Sequence, residues 1–402
     1  MLIKPALSVV TADHVKADFV LQLALDVGEE QEVVELPRTV AYVPLINSHD
    51  HLIGNWVPRA GDHRPYPNSH VWVEDMKDSF SFRERDSFWT NDGSFNFNEA
   101  RALKMAALGC YKNLFSGCGR VMDHAPVQDE SYYHSLPIHV IDSFRQCHSL
   151  TLGNWWGGGT ASEEMELSKG KMPFVIHLGE GIDEVAAQEF ATLEAQGLLQ
   201  KNSVLIHGIA FTKEELARIA AAKASVCWCP GSNYFLIGQT LKVEDALEAG
   251  VNVVLGTDST MSGTVNMASE FNVARQKHPQ ISAQTLYRMV TENAVKAMML
   301  PQQYAALQAE NCRDLLLVDQ VEKDPFENLM NLDAEQINLF IVNGKALMGD
   351  VSWAEELDLD EDDYSFFRVG RREKFVIGDP MDINDEVDEA LGYHKSFAYL
   401  PF

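Results

Sequence analysis

The sequence predicts an α/β fold in which a parallel β/α barrel is joined to a small β-domain built from both ends of the chain. Three observations favour this fold. Apolar runs without alternation recur between helix-like segments, their spacing suits a barrel, and short strand-turn-strand patterns occur near both ends. No glycine-rich GxGxxG turn follows a predicted strand, which argues against a dinucleotide-binding fold.

The alternation of helix and strand is clear from about residue 100 onward. Asn98 is predicted to cap a helix that ends at Gly109, and GRVMDH (119–124) follows as a short strand. Thr212 and Glu215 form the pattern of a capping box before another helix. The later predicted strands are FVIH (174–177), SVLIHG (203–208), SVCWCP (225–230) and VNVVLGTDS (251–259).

Segment spacing favours a barrel over an open sheet. A TIM barrel needs about 250 residues for eight βα units, or roughly 30 residues for each unit. His177 and His207 are 30 positions apart, and His207 and Asp258 are 51 apart with a predicted strand between them. We therefore assign residues 41–310 to the barrel.

The two ends of the chain differ from the middle. Residues 1–40 and 311–350 contain short strands, and Asn343-Gly344 is a hairpin signal, so these two segments are predicted to pair as a small β-domain. Residues 351–402 are acidic but contain aromatic side chains, and we expect this extension to pack on the barrel or on a neighbouring subunit.

Composition limits the classes of partner. The formal charge of -27 argues against nucleic acid and anionic membrane surfaces, and no stretch is apolar enough to span a bilayer. The start lacks a secretory h-region and the six cysteines are scattered, so a cytoplasmic protein with reduced thiols is expected. Cys227 and Cys229 share a strand face, where burial is the expected role and metal ligation the alternative.

The segment LINSHDHL (45–52) carries the first chemical signal. Because side chains alternate along a strand, His49 and His51 point to one side and Asp50 to the other. Two imidazoles can then share one ion, whereas Asp50 is predicted to have a structural role.

Other polar side chains end the predicted strands. His177, His207 and Asp258 each follow an apolar run, and the carboxyl ends of barrel strands meet at one face. Polar groups are costly to bury there unless they are paired or bind metal, so we predict that they converge. His124 ends the second strand and either lines the pocket or packs nearby. We assign packing or surface roles to His14, His63, His70, His134, His139, His148, His278 and His394.

The order of motifs resembles the amidohydrolase superfamily, in its branch of cytosine deaminases, S-adenosylhomocysteine deaminases and chlorohydrolases. This resemblance implies a distorted TIM barrel with a β-sandwich from both termini. It covers most of residues 1–350, and the matching stretches are PLINSHDHL, IHLGEG, LIHGIAFTKEEL, CPGSN, LGTDS and INLFIVNGKALMGD.

The resemblance also implies a site and a mechanism. One divalent ion would be held, with zinc expected first and iron or manganese as alternatives, by His49, His51, His177 and Asp258. Asp258 would accept a proton from a metal-activated water, Glu180 would protonate the ring nitrogen or leaving amine, and His207 would bond to the oxyanion. SLTLGNWW, near the expected fourth strand, has no lysine to bridge two metals, which favours a mononuclear site.

Substrate contacts are predicted from aromatic residues. The long loop after Ile53 and the pair at 155–156 supply aromatic side chains, and we name Trp56, His124 and Trp155 as candidates for substrate binding. An aromatic wall suits a planar nitrogen heterocycle, which favours a deaminase acting on a small molecule; packing or a contact between identical subunits is the alternative explanation of the aromatics. Hydrolysis of an amide, cyclic amide or halogenated ring at the same ion stays open, as does a non-catalytic binding protein.

Overall fold

The computed structural model describes residues 1–24, 32–89, 97, 99–153 and 156–402. Its strands form three sheets, of nine, five and three strands. No helix among the described residues is long and apolar enough to cross a membrane.

The N-terminal segment supplies four strands to the largest sheet. β1 pairs in parallel with β4 and antiparallel with β2 and β3. Their bounds are β1 (Leu2–Thr11), β2 (His14–Lys16), β3 (Leu21–Gln22) and β4 (Val33–Tyr42).

A three-stranded parallel sheet begins the barrel-like region, in the order β5-β6-β7. Its elements are β5 (Leu45–Asp50), a 3-10 turn (Ile53–Trp56), α1 (Ser69–Met76), α2 (Phe80–Trp89), α3 (Ala100–Leu114), β6 (Cys118–Asp123), α4 (Glu130–His134) and β7 (His139–Val140).

The predicted helix stop at Gly109 is wrong. α3 continues through Gly109 to Leu114, and its N-cap residue is Glu99, whereas Asn98 lies outside the described residues. A Cβ added at Gly109 would lie 2.4 Å from the carbonyl oxygen of Leu52. This glycine therefore allows a close approach between helix and loop instead of ending the helix.

A five-stranded parallel sheet follows, with its strands in the spatial order β12-β11-β10-β9-β8. The capping box of Thr212 and Glu215 is confirmed at the start of α7. The elements are β8 (Arg145–Ser149), α5 (Ala161–Ser168), β9 (Phe174–Leu178), α6 (Glu184–Ala195), β10 (Ser203–His207), α7 (Lys213–Ala222), β11 (Ser225–Trp228), α8 (Pro230–Leu236), α9 (Val243–Glu248), β12 (Asn252–Leu255), α10 (Met267–Lys277), α11 (Ala283–Met289), α12 (Glu292–Ala297) and a 3-10 turn (Gln302–Ala305).

The two parallel sheets meet on one side. The backbone N–H of Asp258, just after β12, donates to the carbonyl oxygen of His49 in β5 over 3.0 Å. On the other side, no ladder in the described part of the chain joins β7 to β8, and β7 is only two residues long. The α/β arrangement is thus as predicted, although the strand pairing does not form one closed barrel.

The C-terminal segment completes the largest sheet, whose order is β16-β17-β15-β14-β13-β4-β1-β2 with β3 beside β1. Strand pairing thus gives one nine-stranded sheet from both ends, including part of residues 351–402. The predicted hairpin turn is confirmed, because Asn343 and Gly344 both have positive φ between the paired residues Val342 and Lys345. The elements are β13 (Leu315–Asp319), α13 (Pro325–Met330), a 3-10 turn (Ala334–Gln336), β14 (Ile337–Val342), β15 (Lys345–Asp350), α14 (Ser352–Glu356), β16 (Tyr364–Val369), β17 (Arg372–Ile377) and α15 (Pro380–Leu391).

The two cysteines that flank Trp228 are part of the core. Cys227 and Cys229 are fully buried and unbridged, which agrees with the expected burial role.

Candidate metal and catalytic site

A pocket of about 960 Å³, including its mouth, lies where β6, β9, β10 and β12 end. Its wall combines titratable and aromatic side chains, the composition expected of a small-molecule site. The titratable groups include His51, Asp123, His124, His148, His177, Glu180, His207 and Asp258, and the aromatic ones are Trp72, Phe82, Phe97 and Trp156.

The histidines of β5 lie against the carboxylate that follows β12. The Oδ1 atom of Asp258 is 3.7 Å from Nε2 of His49 and 3.6 Å from Nε2 of His51. The imidazole of His177 reaches the same place from β9, with its ring centroid 5.0 Å from that of His49. Residues about 200 positions apart in the chain are thus brought together.

Potential ligand atoms form two overlapping groups. Within each group the atoms lie within 4.8 Å of one another, and both groups contain His49. One group joins three predicted ligands to His124, and the other joins Asp258 to His207. These groups are His49, His51, His124 and His177, and His49, His207 and Asp258.

Backbone carbonyls orient two of the imidazoles. Nδ1 of His51 lies 2.9 Å from the carbonyl oxygen of His124, and Nδ1 of His177 lies 2.7 Å from that of His148. Because a carbonyl oxygen can only accept, each Nδ1 carries the proton and each Nε2 presents a lone pair. Such an outer contact is typical of histidines that bind metal.

His49 provides the test of whether this site suits a metal ion. Its side chain is fully buried, and neither ring nitrogen has a hydrogen-bond partner among the described residues. Burial, with the neighbouring histidines, holds the pKa of His49 well below its usual range, which favours the neutral ring that ligates metals. A buried lone pair surrounded by imidazole and carboxylate donors fits a borderline divalent ion.

Asp258 is held in place through its backbone and both carboxylate oxygens. Its φ of +54° lies in the left-handed region, which is uncommon for a residue with a side chain. Oδ1 accepts from the N–H of Ser259 over 2.7 Å, and Oδ2 accepts from the hydroxyls of Ser232 at 2.7 Å and Ser262 at 2.9 Å. The carboxylate is thus fixed toward the histidines.

Glu180 and His207 face each other beside this carboxylate. Oε1 of Glu180 is 3.5 Å from Nε2 of His207, while Nδ1 of His207 lies 2.7 Å from Oδ1 of Asn233. The amide of Asn233 is oriented by donation from its Nδ2 to Thr240 over 3.0 Å, so its oxygen accepts from His207. His207 also has a positive φ of 73°, a second backbone outlier at the pocket.

Two of the carboxyl groups in the pocket, those of Glu180 and Asp258, have pKa values shifted in opposite directions. Burial raises the pKa of Glu180. Burial would also raise the pKa of Asp258, but His51, His207 and the hydrogen bonds from the Ser232 hydroxyl and the Ser259 N–H outweigh burial and lower it. Opposite shifts in neighbouring carboxyl groups are the pattern by which active sites separate a proton donor from a proton acceptor.

A buried ion pair lies behind the histidines. Asp50 is fully buried, and its Oδ1 is 3.1 Å from Nζ of Lys112 in α3. The same ammonium donates to the carbonyl oxygen of Asp258 at 2.7 Å, to Thr257 at 3.0 Å and to Asn55 at 2.8 Å. Asp50 thus has structural contacts of the kind predicted, and its partner Lys112 was missed because a helical lysine resembles a surface residue.

The three residues predicted to contact the substrate differ in their position relative to the pocket. His124 lines the pocket, whereas Trp155 lies outside the described residues. Trp56 is buried away from the pocket, 6.4 Å from the ring of Phe397 and 4.6 Å from Nζ of Lys395. Loop aromatics are natural candidates for a pocket, but Trp56 belongs to a 3-10 turn that the C-terminal segment covers.

The packing or surface role that the sequence analysis assigned to His148 is wrong. It lines the pocket, with its ring 4.7 Å from that of His177 and 4.4 Å from that of Trp156. The fourth strand was expected near SLTLGNWW, but β8 ends at Ser149. His148 is therefore at a strand end, and the misplaced strand hid the signal that identified the other histidines.

Comparison with known proteins supports the resemblance seen in the motifs. The model of the amidohydrolase family matches residues 150–347. The 5-methylthioadenosine/S-adenosylhomocysteine deaminase of Moorella thermoacetica is 32% identical over 195 residues, which cover 43% of this chain and 46% of that protein. The chain thus spans about half the length of this relative, and less of some others.

Two further matches cover more of the chain at lower identity. The 5'-deoxyadenosine deaminase of Methanocaldococcus jannaschii is 23% identical over 83% of this chain and 88% of that protein. A crystal structure of a Xanthomonas campestris adenosine deaminase with bound zinc superimposes with a TM-score of 0.74, at 16% identity, over 97% of both chains. The second match establishes the shared fold. The predicted resemblance to the amidohydrolase superfamily is confirmed, and the family model matches residues 150–347 of this chain.

Proposed function

We propose that this protein is a metal-dependent aminohydrolase that releases ammonia from a nitrogen heterocycle. The observation that carries the proposal is the convergence at one site of three histidines, two carboxyl groups with opposite pKa shifts and a further histidine, which come from the ends of β5, β9, β10 and β12. Packing alone does not account for so many buried titratable groups in contact.

The ion would be held by His49, His51, His177 and Asp258. Mixed imidazole and carboxylate donors suit zinc, with iron or manganese as alternatives, and zinc is bound in the similar adenosine deaminase structure. The ion would supply a water of lowered pKa. This donor set, the closed and distorted barrel, and the β-sandwich remain predictions from the resemblance. Contact between identical subunits remains the alternative explanation of the aromatic side chains.

The chain's own groups would move the protons. Asp258, whose low pKa keeps it ionised, accepts a proton from the attacking water. Glu180, whose raised pKa favours the protonated form, gives a proton to the ring nitrogen. The proton taken up by Asp258 would then pass to the amine, which leaves as ammonia when the C–N bond breaks. His207 donates from Nδ1 to Asn233, so it donates from Nε2 to a developing oxyanion only when both ring nitrogens are protonated.

The substrate is proposed to be a 6-aminopurine nucleoside. Relatives are named as deaminases of 5-methylthioadenosine, S-adenosylhomocysteine and 5'-deoxyadenosine. In this chain Trp72, Phe82 and Trp156 offer apolar rings beside the titratable groups, and planar bases pack well on such surfaces.

A screen for ammonia release tests the proposal. Zinc-loaded protein would be assayed with adenosine, 5'-deoxyadenosine, 5'-methylthioadenosine and S-adenosylhomocysteine, together with cytosine, a chlorotriazine and a cyclic amide. We expect ammonia from at least one 6-aminopurine, and none from protein carrying His49→Ala. Chloride release or ring opening without ammonia would instead establish the alternative hydrolase activity, and no turnover of any compound by metal-loaded protein would contradict both.

A further inference from the structure

We propose that His124 is a fourth nitrogen ligand of the ion site, in addition to His49, His51 and His177. This inference rests on the proposed function, since it concerns the same ion. The inference goes beyond that function because it adds a fourth imidazole to the ligands of the ion. A different set of ligands changes the class of metal that the site would favour.

The hydrogen bonding of His124 defines its tautomer. The side chain is fully buried, and Nε2 lies 3.2 Å from the carbonyl oxygen of Cys147. Because this oxygen can only accept, Nε2 carries the proton and Nδ1 presents a lone pair. Nδ1 is buried and has no hydrogen-bond partner in the described part of the chain.

The ring of His124 lies among the other histidines of the site. The ring of His124 stacks on that of His177, with centroids 4.4 Å apart and planes at 21°. Its centroid is 5.3 Å from that of His49. A ligand atom of His124 lies within 4.8 Å of one from each of His49, His51 and His177.

The buried nitrogen lone pairs of these four histidines require a partner of positive charge. Buried lone pairs that face one another without a donor between them are unfavourable, and a cation satisfies them together. Four imidazoles favour zinc, copper, nickel or iron over the oxygen-preferring manganese and magnesium.

If His124 acted only by orienting another ligand, its substitution would have a smaller effect on metal affinity. The backbone carbonyl of His124 accepts from Nδ1 of His51, and this contact survives any change of the His124 side chain. Loss of an outer contact of a metal ligand lowers affinity by about 10–100-fold. Loss of a direct ligand should lower the metal affinity by more than about 100-fold.

The test measures Co²⁺ binding by metal-free protein and needs no substrate. His124→Phe keeps the stacked ring but removes both nitrogens, and we expect it to bind Co²⁺ more than about 100-fold more weakly than wild type. His124→Asn offers an oxygen near the position of Nδ1 and should lose less affinity. His139→Asn is the control, because His139 is in the neighbouring β7 and its Nδ1 contacts Asn343 instead of the pocket.

X-ray absorption of the zinc-loaded wild type provides a measurement that does not depend on a stable variant. We expect scattering from four imidazoles, whereas three imidazoles would overturn the assignment. Wild-type affinity in a folded His124→Phe protein would overturn it as well. Failure of the wild type to bind either Co²⁺ or zinc would instead contradict the proposed function, so the two failures are distinguishable.

Discussion

Glu180 and Asp258 differ in the charges and hydrogen bonds around them, and this difference supports the roles proposed for them. Glu180 faces His207 and has a raised pKa, whereas Asp258 receives serine hydroxyl bonds and has a lowered one. The side chain that can hold a proton is therefore distinct from the side chain that can receive one.

Glu180→Gln should separate metal binding from turnover. The amide keeps the shape of the side chain but cannot transfer a proton, so we expect a loss of about 10²–10⁴-fold in kcat with unchanged zinc content. Elemental analysis and ammonia release on the substrate found by the screen would measure the two quantities. Unchanged turnover would remove Glu180 from the mechanism, and lost zinc would mean that it helps to hold the ion.

Lys112 makes a second residue-level prediction, on stability. Lys112→Met would leave the buried Asp50 carboxylate without its cation, and removal of one partner of a buried pair costs about 3–5 kcal/mol. Urea unfolding would measure the loss. The matched control is the double variant Lys112→Met with Asp50→Asn, which removes both charges and should recover part of the stability. A single variant as stable as wild type would contradict the importance of this pair.

Strand alternation and strand ends were enough to identify most of the titratable groups of the pocket. His49, His51, His177, His207 and Asp258 all come together because parallel strands place their carboxyl ends at one face. His148 and Lys112 could not be found in this way. The first depended on an accurate end for β8, and the second on knowing which face of α3 is buried.

At the scale of elements, local signals predicted local structure. The capping box before α7 and the Asn343-Gly344 turn are present because their hydrogen bonds and dihedral angles involve only neighbouring residues. Gly109 was misjudged because its reason is a contact with the Leu52 carbonyl oxygen, which is distant in sequence. A glycine that permits close packing looks the same in sequence as one that ends a helix.

The C-terminal segment contacts a helix that forms the pocket wall. Glu84 in α2 is buried and accepts hydrogen bonds from Lys395 and from the hydroxyl of Tyr393, while Phe82 and Arg85 of the same helix line the pocket. The segment is therefore in a position to hold this wall against the substrate.

Lys395→Met should loosen the wall without altering the chemistry. We expect KM to rise by roughly tenfold with kcat and zinc content retained, which is the result of losing uniform substrate binding. Hydrogen exchange should also become faster in α2. Because Lys395→Met removes the cation beside the buried Glu84 carboxylate, the control is Lys395→Met with Glu84→Gln, and an unchanged KM in both variants would show that the contact does not support the wall.

At the scale of the whole molecule, the long-range pairings were the part that sequence could not predict. β4 pairs with β1 on one side and with β13, more than 270 residues later, on the other. The resulting nine-stranded sheet extends into residues 351–402, which had been set apart because their acidic composition gave no strand signal. Composition describes the average of a segment, whereas strand pairing depends on its partners.

The proposed ion would connect the two parallel sheets. Its proposed ligands lie at the ends of β5 and β6 in the three-stranded sheet and of β9 and β12 in the five-stranded sheet. A ligand that binds only the folded state stabilises it by about 2.7 kcal/mol when its free concentration is 100 times its Kd. Zinc at that excess should therefore raise the free energy of unfolding of metal-free protein by about this amount.

Urea unfolding with and without zinc would measure this stabilisation, and His49→Ala is the matched control. The variant removes the residue common to both groups of ligand atoms, so its free energy of unfolding should change little when zinc is added. Metal-free wild type should also unfold at lower urea than the zinc form, because its buried histidines face one another without a cation. Equal stabilisation of wild type and His49→Ala by zinc would place the ion elsewhere on the molecule and contradict the site.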